Sequence, residues 1–490
     1  MPTIITDGET YEGGPGDDIV LIRANDVTAD GNGGDDRLVT QLYRQTADGV
    51  SLSTDLSGGT GHDTLTASMG FEDAPDDYDI PLSISATLDG GAGDDIIRAE
   101  LTSAYADQFF TIDAGDGDDR VTVRQTLFNW VDTNDAMHRS ESAVRAGGGD
   151  DVISVVLREG GYTGLTDAGT GVSSTVHGSD GSDRITSDVS SYFGSDAENF
   201  LYGGAGADRI VAASASTGAD WGSGSAYNRA RGGEGDDRIE MEAQSNDATA
   251  TNSATGDAGN DTISVLGVTW WGAVYNDLSG GDGEDRLTAR IETANEYAEE
   301  FPSTAVNTIE GGDGDDRITG VVSLGDTFEE TGEFRSELYG GAGDDVISAR
   351  GGFDNILAGN QGDDTLRGSG STDRLIGGQG ADVLRGGGGG DEFVFKGTRG
   401  EASERDRVAD FSQGEDRFDI SAIDANVFRG GNQAFTFDGG TGTGRVWVEE
   451  APNGNGSLLY ADNGRGILVV SIRDGGGMDA SDYEASDFLL

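Results

Sequence analysis

A six-residue pattern recurs along most of this chain: two glycines, any residue, glycine, any residue, aspartate, with an apolar side chain two residues later. Well-kept copies are Gly90-Gly91-Ala92-Gly93-Asp94-Asp95 with Ile97, Gly311-Gly312-Asp313-Gly314-Asp315-Asp316 with Ile318, and Gly340-Gly341-Ala342-Gly343-Asp344-Asp345 with Ile347. Such repetition constrains the fold more than composition does, because each unit buries its apolar face only against neighbouring copies. With the sixth residue as marker, seventeen units are read, at Asp18, Asp36, Asp63, Asp95, Asp119, Asp151, Asp183, Asp208, Asp237, Asp261, Asp285, Asp316, Asp345, Asp364, Asp373, Asp382 and Asp391.

Most gaps between markers are 24 to 32 residues, but the last three are nine each. A nine-residue unit is a six-residue turn and a three-residue strand, so two units complete a coil. This places Asp364 beside Asp382 and Asp373 beside Asp391 on two edges of a roll. A long unit reads as strand, polar loop and returning strand. After Asp119 come Val121-Thr122-Val123-Arg124, a polar stretch over 132–142, and Ala143-Val144-Arg145. Each long unit is then a whole coil, and markers from about Asp36 to Asp364 stack on one edge, with loops of variable length on the other. Leu38, Leu65, Ile97, Val121, Ile153, Ile185, Ile210, Ile239, Ile263, Leu287, Ile318 and Ile347 should form an inward ladder. The intervening arginines (Arg37, Arg120, Arg184, Arg209, Arg238, Arg286, Arg317, Arg374) point outward, as charge balance for the aspartates. The expected fold is all-β, a right-handed parallel β-roll or β-solenoid with calcium-binding turns and a C-terminal β cap. Its expected segments are a leader at 1–12, a long-coil solenoid at 13–345, a nonapeptide roll at 346–391 and a cap with secretion signal at 392–490.

The turn chemistry points to a cation. Glycine permits positive φ and close backbone approach, so a turn can aim several carbonyl oxygens at one point, and aspartate adds a carboxylate. Calcium accepts six to eight such oxygens, so a half-site on one coil can be completed by the next, whereas magnesium's strict octahedron suits this less. The formal net charge is −60, with 91 acidic residues against 31 basic ones, so a compact state needs a positive counterpart. The same charge argues against nucleic acid as a partner. Glycine numbers 83 but proline only 6, and the glycines are periodic, unlike those of a disordered linker. There are no cysteines, hence no disulfides or thiolate zinc sites. Residues 1–10 lack a Sec-type signal, and no apolar run is long enough to span a membrane.

On these residues the chain resembles the repeats-in-toxin (RTX) family, whose nonapeptide binds calcium in a parallel β-roll. The resemblance covers about residues 13–391 and implies that the seventeen aspartates are calcium ligands, helped by carbonyls of residues such as Gly378, Gly380, Gly387 and Gly389. The units ending in Asp183 and Asp373 are missing glycines of the pattern and are expected to bind weakly or not at all. The stretch from Glu392 through Phe411 to Ser421 looks like the cap that follows the roll in serralysin-type and other type I-secreted proteins, with Asp406 and Asp410 completing the last site. Beyond it, Arg445-Val446-Trp447-Val448, Ser457-Leu458-Leu459-Tyr460 and Ile467-Leu468-Val469-Val470-Ser471-Ile472 read as strands. The end, Ser486-Asp487-Phe488-Leu489-Leu490, is similar to an uncleaved type I secretion signal, which implies the type I machinery as a partner.

Serralysins carry a zinc protease domain before the repeats, but this sequence has no His-Glu-x-x-His, and its repeats begin by Gly13. His62, His138 and His177 read as solvated loop residues, and no nucleophile elbow or phosphate loop is present. The expected function is therefore non-enzymatic: a secreted calcium-binding protein that folds outside the cell, as a structural or adhesive element. The alternatives are a β-solenoid lyase or epimerase acting on polysaccharide, and a self-assembling surface-layer or filament subunit. Trp130, Trp221, Trp270 and Trp271 are candidates to stack on a polysaccharide or cell-surface partner, with packing beneath the loops as the preferred reading.

Overall fold

The computed structural model describes residues 2–6, 8, 10–44, 50–71, 82–104, 106–128, 138–160, 171–192, 195–217, 224–246, 248–293, 304–324, 332–397, 405–429, 432–452, 454, 456–473 and 479–490. The described residues form β-strands, turns and short 3₁₀ segments. The chain divides into two compact units, residues 1–258 with 262–274, and residues 259–261 with 275–490.

The first unit is a two-sheet parallel solenoid. Strands that follow the markers pair in chain order, from Thr3–Ile5 on Ile19–Ile22 to Arg238–Ser245 on Thr262–Thr269. Returning strands make the second sheet, from Tyr11–Glu12 on Val27–Asp30 to Ala226–Glu234 on Ala250–Ala258. Register holds despite unequal coil lengths: Arg120 pairs with Ile96, 24 residues back, and with Val152, 32 residues on. The turn and strands therefore set the pitch, and the connecting segments absorb the difference. Alternation puts every second side chain inside. The expected apolar ladder is there, with Leu38, Leu65, Ile97, Val121, Ile153, Ile185, Ile210, Ile239 and Ile263 all buried, each contributing about 1.5–3 kcal/mol by leaving water.

The second unit follows the same logic, with coils of 31 and 29 residues and then shorter ones of 19 and 18. Arg286–Thr293, Arg317–Leu324, Val346–Gly351, Thr365–Arg367 and Val383–Arg385 pair successively in parallel. Opposite them run Thr304–Asp313, Glu333–Ala342, Asn355–Gln361, Asp373–Gln379 and Glu392–Val394. The cap strands form an antiparallel meander, Arg445–Glu450, Ser457–Asp462 and Ile467–Ile472, attached to the roll through Arg407–Val408. The C-terminal Phe488–Leu489 docks as a strand on Arg417–Asp419, with Phe418 and Phe488 rings 5.8 Å apart.

Inside the returning sheet lies a polar column that the motif does not announce. Asn199, Asn228 and Asn252 are fully buried, Asn199 Nδ2 donating to Asn228 Oδ1 at 2.9 Å and Asn228 Nδ2 to Asn252 Oδ1 at 3.0 Å. Each amide also crosses the interior to a carbonyl of the other sheet, at Ala213, Glu242 and Leu266. In the second unit Asn276 Nδ2 donates to Asn307 Oδ1, Asn307 Nδ2 to Ser336 Oγ, the Ser336 backbone N–H to Asn355 Oδ1, and Asn355 Nδ2 to Asp373 Oδ1.

Candidate metal centre

The markers form continuous carboxylate columns. In the first unit the backbone N–H of each donates to Oδ1 of the marker one coil later: Asp18 to Asp36, Asp36 to Asp63, Asp63 to Asp95, Asp95 to Asp119, Asp119 to Asp151, Asp151 to Asp183, Asp183 to Asp208 and Asp208 to Asp237, at 2.6–2.9 Å. In the second unit the column runs Asp261, Asp285, Asp316, Asp345, Asp364, Asp382 and Asp406. A second column, on the other edge of the short coils, joins Asp373, Asp391 and Asp416.

The fifth residue of successive turns near the start of the first unit makes an opposed, exposed ladder. Its N–H donates to the coil before: Asp35 to Asp17, His62 to Asp35, Asp94 to His62 Nδ1, Asp118 to Asp94 and Asp150 to Asp118.

Two features test whether these residues suit a cation. First, Oδ2 of Asp36, Asp63, Asp95, Asp119, Asp151, Asp183 and Asp208 is buried without a hydrogen bond, as is that of Asp285, Asp316, Asp345, Asp364, Asp382 and Asp391. Secondly, these oxygens gather with carbonyls of the next coil around the first glycine. A Cβ at Gly90 would strike both Asp95 Oδ2 and the Ala114 carbonyl, and one at Gly311 both Asp316 Oδ2 and the Gly340 carbonyl. Farther round the turn, Gly93 (φ +125°) lies so close to the Gly61 carbonyl that only glycine fits. An oxygen-lined cradle with an unmet carboxylate oxygen suits calcium. Ala114 and Ala146 stand at the first-glycine place in their own turns.

Electrostatics agree with that fit. Burial, with neighbouring carboxylates, pushes Asp95, Asp151, Asp316 and Asp391 up to about 7 and Asp364 to about 8. Burial likewise carries Asp36, Asp119, Asp208, Asp345 and Asp382 to about 6. A buried carboxylate among its like must take up a proton or meet a cation. Among the described residues no three His, Asp or Glu side chains converge, so any site combines the carboxylates with backbone oxygens.

The other candidate residues fall into place variously. Gly378, Gly380, Gly387 and Gly389 all have positive φ in the short-coil turns. Asp406 extends the first column, whereas Asp410 accepts N–H groups of Gly386 and Gly387 at 3.0 and 3.2 Å. Asp373 is already committed, to the Asn355 amide and the Ser369 N–H. Asp416 was missed by the sequence reading, although Phe411-Ser412-Gln413-Gly414-Glu415-Asp416 is a worn copy of the turn with Phe418 buried two residues on. The Asn column was missed too; its signal is a polar residue four places before the first glycine, as in Asn199 and Gly203.

Several expectations need correction. Arg209, Arg238 and Arg374 form ion pairs with Glu240, Glu392 and Asp419 on the sheet faces rather than with the marker aspartates. His138 is largely buried against Asp107 at 3.4 Å, and His177 stacks on Tyr202. Trp270 and Trp271 are about half exposed rather than packed beneath a loop, and Trp130 and Trp221 lie outside the described residues.

Comparison with known proteins adds one finding. A family model described as "Peptidase M10 serralysin C terminal" matches residues 9–450. Among curated proteins, none matches the chain.

Proposed function

The chain belongs to the serralysin C-terminal family, and from that premise we propose that it is a secreted solenoid that calcium folds outside the cell, where it serves as a structural or adhesive element. The observation that carries this reading is the column of buried aspartates, in which Asp36, Asp63, Asp95, Asp208, Asp285, Asp316 and Asp345 each have one oxygen unmet beside a carbonyl of the next coil. Bound calcium supplies the positive charge that lets these carboxylates stay ionised inside. Asp36, Asp63, Asp95, Asp208, Asp285, Asp316, Asp345, Asp364, Asp382 and Asp391 are the residues best placed to hold it, because each has an unmet Oδ2 in a glycine turn.

A site filled at ten times its Kd adds about 1.4 kcal/mol, so about ten sites match the whole net stability of a domain. Extracellular calcium modules bind with Kd of about 10⁻⁴ to 10⁻³ M, so a calcium-poor cytoplasm leaves the chain open and competent for export. Docking of Phe488–Leu489 in the folded unit supports the same order of events, since a C-terminal signal for the type I machinery is free only beforehand. The family match is to a C-terminal region, and the carboxylates of the edges are spread one per coil, which favours a non-enzymatic role. Calcium titration of the chelated chain should convert an unfolded circular dichroism spectrum into a β spectrum. A spectrum already β-rich in excess chelator and indifferent to calcium would sink the proposal.

A further inference from the structure

Where the strands that follow the markers reach the loop edge, one outward row of the first unit carries large rings. Nine residues on from successive markers (119 to 128, 183 to 192, 261 to 270) the row runs Phe128, Gly160, Tyr192, Thr217, Asn246 and Trp270. Parallel register sets these residues side by side on consecutive coils. Phe128, Tyr192, Trp270 and the adjoining Trp271 are 39–49 % exposed, so four rings stand in water along one edge of one sheet. The turn under the tryptophans is fixed in advance. Both of their N–H groups donate to the Asn246 carbonyl, at 3.3 and 2.9 Å, the Gly272 N–H donates to Thr269 Oγ1 at 2.9 Å, and the Ala248 carbonyl occupies the place of a Cβ at Gly272.

The charge of this strip is a separate observation. One residue in four of the chain is charged, yet the row of rings holds no charged residue. The outward row beside it, Thr126, Arg158, Ser190, Ala215, Gln244 and Val268, holds one. Arg158 is closed by Asp188, Nη1 donating to Oδ1 at 2.6 Å, and by Ser190 Oγ at 3.1 Å. Glu159, between the two rows, turns inward and accepts from Ser195 Oγ at 3.2 Å. Arg124 and Glu242 lie one outward row farther from the rings. The two rows thus hold no unpaired charge among the described residues.

We propose that this strip binds a neutral, extended polysaccharide, a β-1,4-linked chain lying along the solenoid axis. Adjacent strands are 4.7–4.9 Å apart, so Phe128 and Tyr192, two coils apart, are separated by about 10 Å, and Tyr192 and Trp270, three coils apart, by about 14 Å. Each sugar of an extended β-1,4 chain advances by about one strand spacing, so the rings fall in step with whole sugars. The rings cover the C–H faces of sugars, and the Thr217 hydroxyl with the Asn246 and Gln244 amides, lying between and beside them, meets sugar hydroxyls. This interleaving of rings with small and polar residues fits a sugar chain better than a lipid surface or a protein, which call for a contiguous apolar patch. An acidic polymer finds no free cation here and is repelled by a net charge of −60. The inference deepens the adhesive reading by naming its partner, and it rests on that reading because the strip exists only in the folded solenoid.

The test is binding of cellohexaose and mannohexaose to the full calcium-loaded chain by isothermal titration, with the fold of each protein checked by circular dichroism. At least one of the two should bind, and maltohexaose, which coils, and the charged hexagalacturonate should bind about tenfold or more weakly. Trp270→Ala and Tyr192→Ala should each weaken binding about tenfold or more, through loss of a stacked ring. Thr217→Arg, which keeps every ring but lays a long charged side chain across the strip, should do the same, while Tyr227→Ala on the returning sheet should leave binding unchanged. Folded protein that binds neither hexasaccharide overturns the proposal, as does equally tight binding of maltohexaose or hexagalacturonate, or equal loss in Tyr227→Ala. Binding to phosphatidylcholine vesicles without sugar binding, or self-association abolished by Trp270→Ala without sugar binding, overturns it too and assigns the strip to a lipid surface or to a second copy. A chain that folds in chelator and still binds the hexasaccharide overturns the calcium-gated reading and upholds this one.

Discussion

Replacing Asp95 by asparagine should stabilise the protein markedly more in chelator than in calcium. The substitution keeps the shape and lets Oδ1 go on accepting the Asp63 N–H, now at 2.6 Å, while placing an amide donor in the cradle with the Ala114 carbonyl. Without calcium, burial and the carboxylates of Asp119 and Asp63 push the Asp95 carboxyl up to about 7. A raised carboxyl leaves stability intact below the unfolded pKa and removes it as pH rises through the folded one. The rise from about 3.9 to about 7 corresponds to about 4 kcal/mol lost by pH 7.5, and to about 1.5 kcal/mol at pH 5. The uncharged amide escapes that loss, so in chelator the variant should be the more stable by up to that amount. With calcium in tenfold excess over Kd, the variant forfeits about 1.4 kcal/mol for each site that the carboxylate serves, so for one or two sites its advantage at pH 7.5 narrows to about 1–3 kcal/mol. The assay is the urea midpoint, in calcium and in chelator with sucrose to favour the compact state, at pH 7.5 and 5. A shift of equal size in both media at pH 7.5 would refute the argument that the carboxylate is there for a cation.

Other consequences follow from the same geometry. Gly93→Ala should cost several times more than Gly148→Ala, because the first sets a Cβ on the Gly61 carbonyl at φ +125° and the second meets nothing nearer than 3.8 Å; calcium-loaded urea midpoints compare them. Asn228→Ala should cost about 1–3 kcal/mol, in calcium and in sucrose-supported chelator alike, since the amide column holds no cation. In chelator, wild type should gain β signal in circular dichroism as pH falls from 8 to 5, because several column carboxyls are raised to about 6 or 7 and protonate in place of binding metal.

Much of this architecture was legible because the repeat couples three constraints in nine residues. The glycines mark the turn, the aspartate marks the edge, and the apolar residue two places on, such as Ile97 or Ile318, marks the inside. Spacing then separated whole coils from half coils, and the stacking of Asp364 on Asp382 and of Asp373 on Asp391 follows from eighteen residues per coil. What escaped was polar structure with no motif of its own. Asn199, Asn228 and Asn252 look like loop residues in composition, yet strand alternation turns them inward, where only a like residue on each neighbouring coil satisfies the amide. In the second unit the column of Asn276, Asn307 and Asn355 is the one Asp373 and Asp391 occupy in the short coils, so amides replace carboxylates where the second turn is absent. Arginine partners escaped for a similar reason: Glu240 is adjacent to Arg209 only across strands.

The two ladders of the turn edge have one more consequence. The inner N–H groups point toward the next coil and the outer ones toward the previous coil. An α-helix sums its peptide dipoles in one sense and gathers partial charge at its ends. Here the rungs oppose one another, so each added coil contributes nearly no net moment from its side-chain ladders. Either face of such a stack shows one unmet donor and one unmet acceptor. The array is thus non-polar along this edge, and electrostatic polarity places no limit on the number of coils it can hold.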